Sequence, residues 1–186
     1  MRPWEKAPSG GASQVTALTA TVPVIETARL VLRLPRITDW AVLEPIFTTE
    51  RAVHIGGPMS AEDAWLDFNQ LVAGWVLRGH GAFTICDKQD KVLGLVLLGH
   101  EFGDPDPELG WLLTEEAEGQ GYATEAARAL LPLCREIYGD QFVSYIADGN
   151  DASVRVAQKL GATETGTHPM GTHVAVYCYS QEGDAG

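Results

Sequence analysis

The stretch Glu108-Leu-Gly-Trp-Leu-Leu-Thr-Glu-Glu-Ala-Glu-Gly-Gln-Gly-Tyr-Ala-Thr-Glu-Ala126 limits the folds open to this chain more than any other segment. Its first six residues read as a strand, and the residues from Ala123 to about Ile137 read as a helix. Between the two, Gly119 and Gly121 permit a tight turn and let main-chain amides come close to a ligand. A helix starting there presents N–H groups without helical acceptors, and its positive dipole end favours an anion such as phosphate. A lone Gly-x-Gly suits any tight turn equally well, so at this point a phosphate loop and a plain turn both stand. No Gly-Lys-Ser/Thr closes the loop, which excludes a P-loop. The third glycine of the dinucleotide fingerprint is missing, and the loop lies past mid-chain rather than after an early strand.

The rest of the chain supplies a frame for that segment. Leu30, Leu32 and Leu34 share one face of a strand over 29–34, with Arg29 at its start. Thr38 or Asp39 is placed to cap a short helix with Trp40, Leu43 and Phe47 turned inward, interrupted by Pro45 and the loop around Ile55-Gly-Gly-Pro58. Ser60 and Asp63 have capping-box spacing ahead of a helix carrying Trp65, Phe68, Val72 and Trp75, all read as core. Runs at 82–86 and 92–99 form a hairpin, 142–147 reads as a strand, and 152–160 as a helix stopped by Gly161. Strands at 163–167 and 174–180 close the pattern around the loop 168–173. With 186 residues, 45% of them hydrophobic, one core suffices. The expected organisation is a mobile leader at 1–23, one α/β (α+β) domain at 24–180 with a mixed sheet flanked by helices, and a disordered tail at 181–186.

Charge narrows the partners. Lys and Arg number 13 against 25 Asp and Glu, a net charge of −12. That argues against a generic nucleic-acid or anionic-membrane surface, both of which need a basic patch, and it would attract cationic substrates. The same charge also serves plain solubility. Cys86, Cys134 and Cys178 are odd in number and lack metal-ligand spacing, as do the five histidines, so neither a disulfide framework nor a metal site is expected. No apolar run approaches the roughly 18 residues of a membrane helix, and the segment 15–24 is diluted by threonines, so the cytoplasm is the expected compartment.

Read together, three motifs are far more specific than any one. Glu-Leu-Gly-Trp-Leu-Leu113, Gly-Gln-Gly-Tyr-Ala-Thr-Glu-Ala-Ala127, and Asn150-Asp-Ala-Ser153 ahead of Lys-Leu-Gly161 occur in the order that resembles the GNAT acyltransferase superfamily. The branch it looks most like is that of ribosomal-protein N-terminal alanine acetyltransferases and their small-molecule relatives, whose first strand is similar to Glu26-Thr-Ala-Arg-Leu-Val-Leu-Arg33. The resemblance implies a mostly antiparallel sheet of six or seven strands, splayed between its fourth and fifth, with about four helices. It implies acetyl-CoA in the gap, with the backbone of Leu112, Leu113 and Thr114 pairing with the pantetheine arm as an added strand would. The amides of Gly119, Gln120, Gly121, Tyr122, Ala123 and Thr124 would hold the diphosphate, and Asn150 and Ser153 would approach the pantetheine and the thioester sulfur. One departure stands out: the family motif opens with Arg or Gln, whereas this chain has Glu118 beside Glu115 and Glu116. Screening damps that repulsion, so weaker binding is expected rather than none. Pro132 removes one helical hydrogen bond about two turns beyond the loop, where a bend leaves the site intact.

The implied reaction is direct attack of an amine on a thioester in a ternary complex, with no metal and no covalent enzyme intermediate. A lysine-like amine costs roughly 4–5 kcal/mol to deprotonate at neutral pH, an α-amine only about 1 kcal/mol, so a weak base or a water chain serves the latter. Glu108 is either that base, through water, or a solvated strand-end charge. Ser153 is either the group that protonates the thiolate or an ordinary first-turn residue, and Asn150 can cap its helix while touching the cofactor. A backbone N–H near Leu113 would stabilise the carbonyl oxygen. Glu125 reads as a charge favoured by the helix dipole, and Tyr177 and Tyr179 read as packing residues. The acceptor stays open between a protein N-terminus, a polyamine, an aminoglycoside-like compound and an amino acid, with the protein a monomer or homodimer. The rival reading is a domain that senses acyl-CoA without turning it over.

Overall fold

The computed structural model describes residues 20–169 and 173–179, together with Arg2 and residues 15–17. Most of the expected leader, the tail at 181–186 and part of the 168–173 loop lie outside the described residues. Val22 and Ile25 already pack against the core, so the packing includes residues ahead of Arg29.

Among the described residues one sheet holds eight strands in the order β1-β2-β3-β4-β5-β6-β8-β7. They are β1 (Ile25–Glu26), β2 (Leu30–Arg33), β3 (Ala82–Asp87), β4 (Val92–Gly99), β5 (Glu108–Leu113), β6 (Val143–Ala147), β7 (Thr163–Thr167) and β8 (Val174–Cys178). The eighth is the two-residue β1, which folds back on β2 with Ile25 opposite Leu32. Its turn is built by Thr27, whose Oγ1 accepts from the Leu30 N–H at 2.8 Å. All neighbours pair antiparallel except β5 and β6.

β4 reads as an unbroken apolar run because both its faces are covered. Leu95 and Leu97 pack with Trp40, Phe47 and Phe68 from α1 (Trp40–Thr48) and α2 (Ala61–Arg78). Val96 and Leu98 pack on the other side beneath α3 (Tyr122–Tyr138). On α3 the buried positions Ala123, Ala126, Ala127, Leu130, Leu131 and Cys134 recur at helical spacing and form one stripe. The helix continues through Pro132. Helix α4 (Asp151–Lys159) follows β6.

Two expectations about the first helix need correction. Pro45 lies inside α1 rather than ending it. Asp39 makes no side-chain cap to α1; it is buried and accepts from Arg33 at 2.7 and 3.0 Å, from Thr84 at 2.8 Å and from the Arg36 N–H at 2.8 Å. A buried carboxylate demands several donors, and the tertiary neighbours outcompete the helix end. Ser60 does cap α2, accepting from the Asp63 N–H at 3.0 Å.

Candidate active site

The site begins where β5 and β6 come apart. The two strands pair at Glu108 and Val143, where the Val143 N–H donates to Pro107 O at 2.9 Å. One residue further on, the Ser144 hydroxyl rather than a main-chain amide reaches Leu109 O. Past that point a cleft of about 1020 Å³ opens, lined by β5, β6, the 118–124 loop, the start of α4 and the 3-10 turn Glu50–Ile55.

Along β5 the main chain alternates between neighbours. The Thr114 N–H donates to Leu93 O at 2.9 Å, and Leu112 O lies so close to β4 that a Cβ on Gly94 would fall 2.1 Å from it. The polar groups of Leu112 and Thr114 are therefore directed to β4, and Thr114 O also accepts from Ala117 N at 3.0 Å. The expectation that these two residues offer their backbone to the cleft is not met. Leu113 does face the gap, and the residue that joins it by strand alternation is Trp111.

The loop after β5 places Gly119 and Gly121 at φ of 71° and 79°. Gly121 is the left-handed N-cap of α3, with no side-chain cap. Among the described residues, no N–H from Gly119 to Thr124 has a protein acceptor, and the first to turn back is Glu125, to Gly121 O at 3.1 Å. Gly119, Gly121, Ala123 and Thr124 line the cleft. The side chains of Gln120 and Tyr122 serve the loop itself. Gln120 Nε2 donates to Glu116 O at 2.6 Å, and the Tyr122 ring lies 4.6 Å under the Arg29 guanidinium.

Arg29 is the anchor that local sequence did not reveal. Its Nε donates to Glu125 at 2.6 Å and its Nη1 to Gln120 O at 3.0 Å. Thr27 donates to the same carboxylate at 2.5 Å. Glu125, read as a dipole charge, thus ties the loop to the turn between β1 and β2, and these hydrogen bonds hold its carboxyl below the usual range against the opposing pull of burial.

On the opposite wall Asn150 caps α4, its Oδ1 accepting from the Ser153 N–H at 3.1 Å. The Ser153 hydroxyl accepts from the Trp111 indole N–H at 3.2 Å, a bond across the cleft. Glu108 stands at the base of the gap. Burial pushes its carboxyl up to about 8, helped by the negative charges of Glu101 and Asp104 and opposed by the Tyr145 N–H. Asp67 and Glu101 line the same end of the cleft and are also raised, chiefly by burial. No Lys or Arg among the described residues pairs with Asp67, Glu101 or Glu108. His168 faces Asp104 at 3.5 Å and sits edge-on to Tyr145. These carboxylates come from α2, the β4–β5 loop and β5, too far apart along the chain for a local pattern to link them.

The description of the protein-family model that fits residues 29–163 is an acetyltransferase (GNAT) domain. The chain belongs to the GNAT acetyltransferase family. This GNAT chain is 34% identical to an acetyltransferase from Agrobacterium tumefaciens whose crystal structure superposes with a TM-score of 0.81, covering 86% of this chain and 95% of that one. It is 28% identical over 148 residues to the uncharacterized N-acetyltransferase YnaD of Bacillus subtilis, covering 76% of this chain and 84% of YnaD. A more distant structure, the ribosomal L7/L12 alpha-N-protein acetyltransferase RimL in complex with coenzyme A, shares the fold at 20% identity and a TM-score of 0.64, over 84% and 97% of the two chains. Membership brings acetyl-CoA-dependent N-acetylation as the chemistry of the GNAT domain. No helix among the described residues is long and apolar enough to cross a membrane.

Proposed function

We propose that this GNAT chain moves an acetyl group from acetyl-CoA to a cationic primary amine, both substrates being bound at once. The observation that carries the reading is the run of N–H groups from Gly119 to Thr124, without protein acceptors, opening on the same cleft as Glu108. Those donors and the start of a 17-residue helix suit a diphosphate. The gap-facing main chain of Trp111 and Leu113 suits the pantetheine amides. The new amide bond forms as the thioester C–S bond breaks. Glu108, ionised, takes one proton from the acceptor ammonium, directly or through water, which frees the lone pair for attack. The second N–H proton passes to the departing thiolate, and the Ser153 hydroxyl hydrogen-bonds that thiolate. Asn150 holds Ser153 in place by capping α4.

Asp67, Glu101 and Asp104, joined by Glu108 when it ionises, bias the acceptor end of the cleft toward positive charge. A dicationic acceptor such as a polyamine would relieve their mutual repulsion while presenting an amine to Glu108. The three free cysteines suit a reducing, cytoplasmic compartment.

Incubation with acetyl-CoA and a panel of polyamines, amino acids and N-terminal peptides, followed by free-thiol release, tests the proposal. Release should be greatest with polyamines. Coenzyme A binding without thiol release on any amine would instead mark a sensor.

A further inference from the structure

We propose that Arg51 is an additional binding residue for the diphosphate of coenzyme A, supplying from another element the positive charge that the glycine-rich loop lacks. The inference rests on the reading that this loop holds coenzyme A. Residues 115–121 contain three glutamates and no cation. Glu116 is taken by Lys91 at 2.8 Å. Glu118, which directly precedes the first of the acceptor-free N–H groups, is paired with Arg51.

Arg51 comes from the turn Glu50–Ile55, far from the loop in sequence, and its N–H is positioned by the Thr49 hydroxyl at 3.4 Å. One Nη2 atom serves both the Glu118 carboxylate and Leu113 O, the latter at 3.1 Å. Nε is buried and has no acceptor among the described residues. The side chain is 23% exposed, whereas that of Glu118 is 59% exposed. The guanidinium is therefore held inside the cleft while its partner stands in water. A guanidinium carries five donors in a fixed fork, and here most of that capacity is unspent. Hydration weakens the hold of an exposed carboxylate. A diphosphate on the Gly119–Thr124 amides would offer several charged oxygens beside the same guanidinium, in bidentate geometry that suits arginine. Arg51 also touches Leu113 O, so a single side chain reaches both the main-chain edge suited to pantetheine and the loop suited to diphosphate.

The alternative is that Arg51 merely straps the 50–55 turn to β5. Calorimetric titration with coenzyme A, and with pantetheine as a competitor lacking the diphosphate, separates the two. Arg51→Ala should weaken coenzyme A about tenfold or more while changing pantetheine by less than about twofold. Arg51→Lys, which keeps the charge and loses the fork, should fall between. Glu118→Gln should tighten coenzyme A more in the presence of Arg51 than in the Arg51→Ala background, where only the relief of charge repulsion remains, the non-additivity expected of coupled groups. Equal losses for both ligands, in variants that melt like the parent, would make Arg51 a strap and overturn the inference. Intact coenzyme A binding by Arg51→Ala would overturn it too, leaving the reading of the loop untouched. A parent protein that binds no coenzyme A overturns that reading and the inference together.

Discussion

Trp111 on β5 and Ser153 in the first turn of α4 meet across the cleft, the indole N–H donating to the hydroxyl at 3.2 Å. The bond fixes the hydroxyl oxygen as an acceptor and leaves its proton for another partner. Asn150 caps the helix through the Ser153 main chain, not its side chain. Ser153→Ala should therefore keep the helix cap and cost only the Trp111 hydrogen bond, about 0.5–1.5 kcal/mol, while kcat drops about tenfold or more, the size of a lost hydrogen bond to a charged group. Asn150→Ala should lower both stability and kcat, because the cap itself is worth about 1 kcal/mol. A Ser153→Ala enzyme with full kcat would remove the hydroxyl from the chemistry.

Glu108 predicts two pH effects with one cause. Its carboxyl sits at about 8 in the fold against an ordinary 4.5. Between those values the folded state keeps a proton that the unfolded chain has released, so stability falls as pH rises. The contribution of the neutral group is complete below about 4.5 and is lost through about 8. Glu108→Gln should flatten that slope and raise the melting temperature at pH 9 relative to the parent. The same substitution should abolish the limb of kcat that rises through about 8 if Glu108 is the base. Comparing two amines of different pKa keeps substrate ionisation apart from that limb.

Gly121 adopts φ 79°, and a Cβ there would have only Arg29 Nη2 near it, at 3.6 Å. The penalty of Gly121→Ala is thus conformational rather than steric, about 1–2 kcal/mol. For a chain of this size that corresponds to a melting temperature lower by about 2–8 °C. Shifting the loop should also raise the KM for acetyl-CoA while leaving that for the amine unchanged. Equal changes in both would argue that the loop does not hold the cofactor.

The buried pair Arg33–Asp39 belongs to the scaffold. Removing the guanidinium by Arg33→Met strands the Asp39 carboxylate, which is 4% exposed, and should cost about 3–5 kcal/mol in chemical denaturation. Replacing both residues by apolar ones of similar volume should recover much of the loss. Neither change should alter the ratio of KM values for the two substrates in a folded enzyme.

The acidic end of the cleft predicts selectivity. Asp67→Asn and Glu101→Gln should raise KM for a polyamine several-fold and leave an uncharged or singly charged amine nearly unaffected, with the difference shrinking at high salt. Identical effects on every acceptor would argue against charge recognition.

Some of this protein is written locally. The period-two leucines of β2, the cap at Ser60, the stripe on α3 and the glycines 119 and 121 all specify their structure through neighbours within a few residues, because hydrogen-bond geometry and helical or strand periodicity are short-range. Those features suffice for the sheet, the helices and the loop with its acceptor-free amides. What the sequence left undetermined is which side chains meet. Arg29 with Glu125, Arg51 with Glu118, Trp111 with Ser153, and the carboxylates of Asp67, Glu101, Asp104 and Glu108 are brought together by the splay of β5 from β6 and by packing around it. Even the choice between Leu112 and Trp111 as a gap-facing residue depends on which partner β4 claims. Charge and hydrogen-bond partners act through space, so only the folded chain settles them.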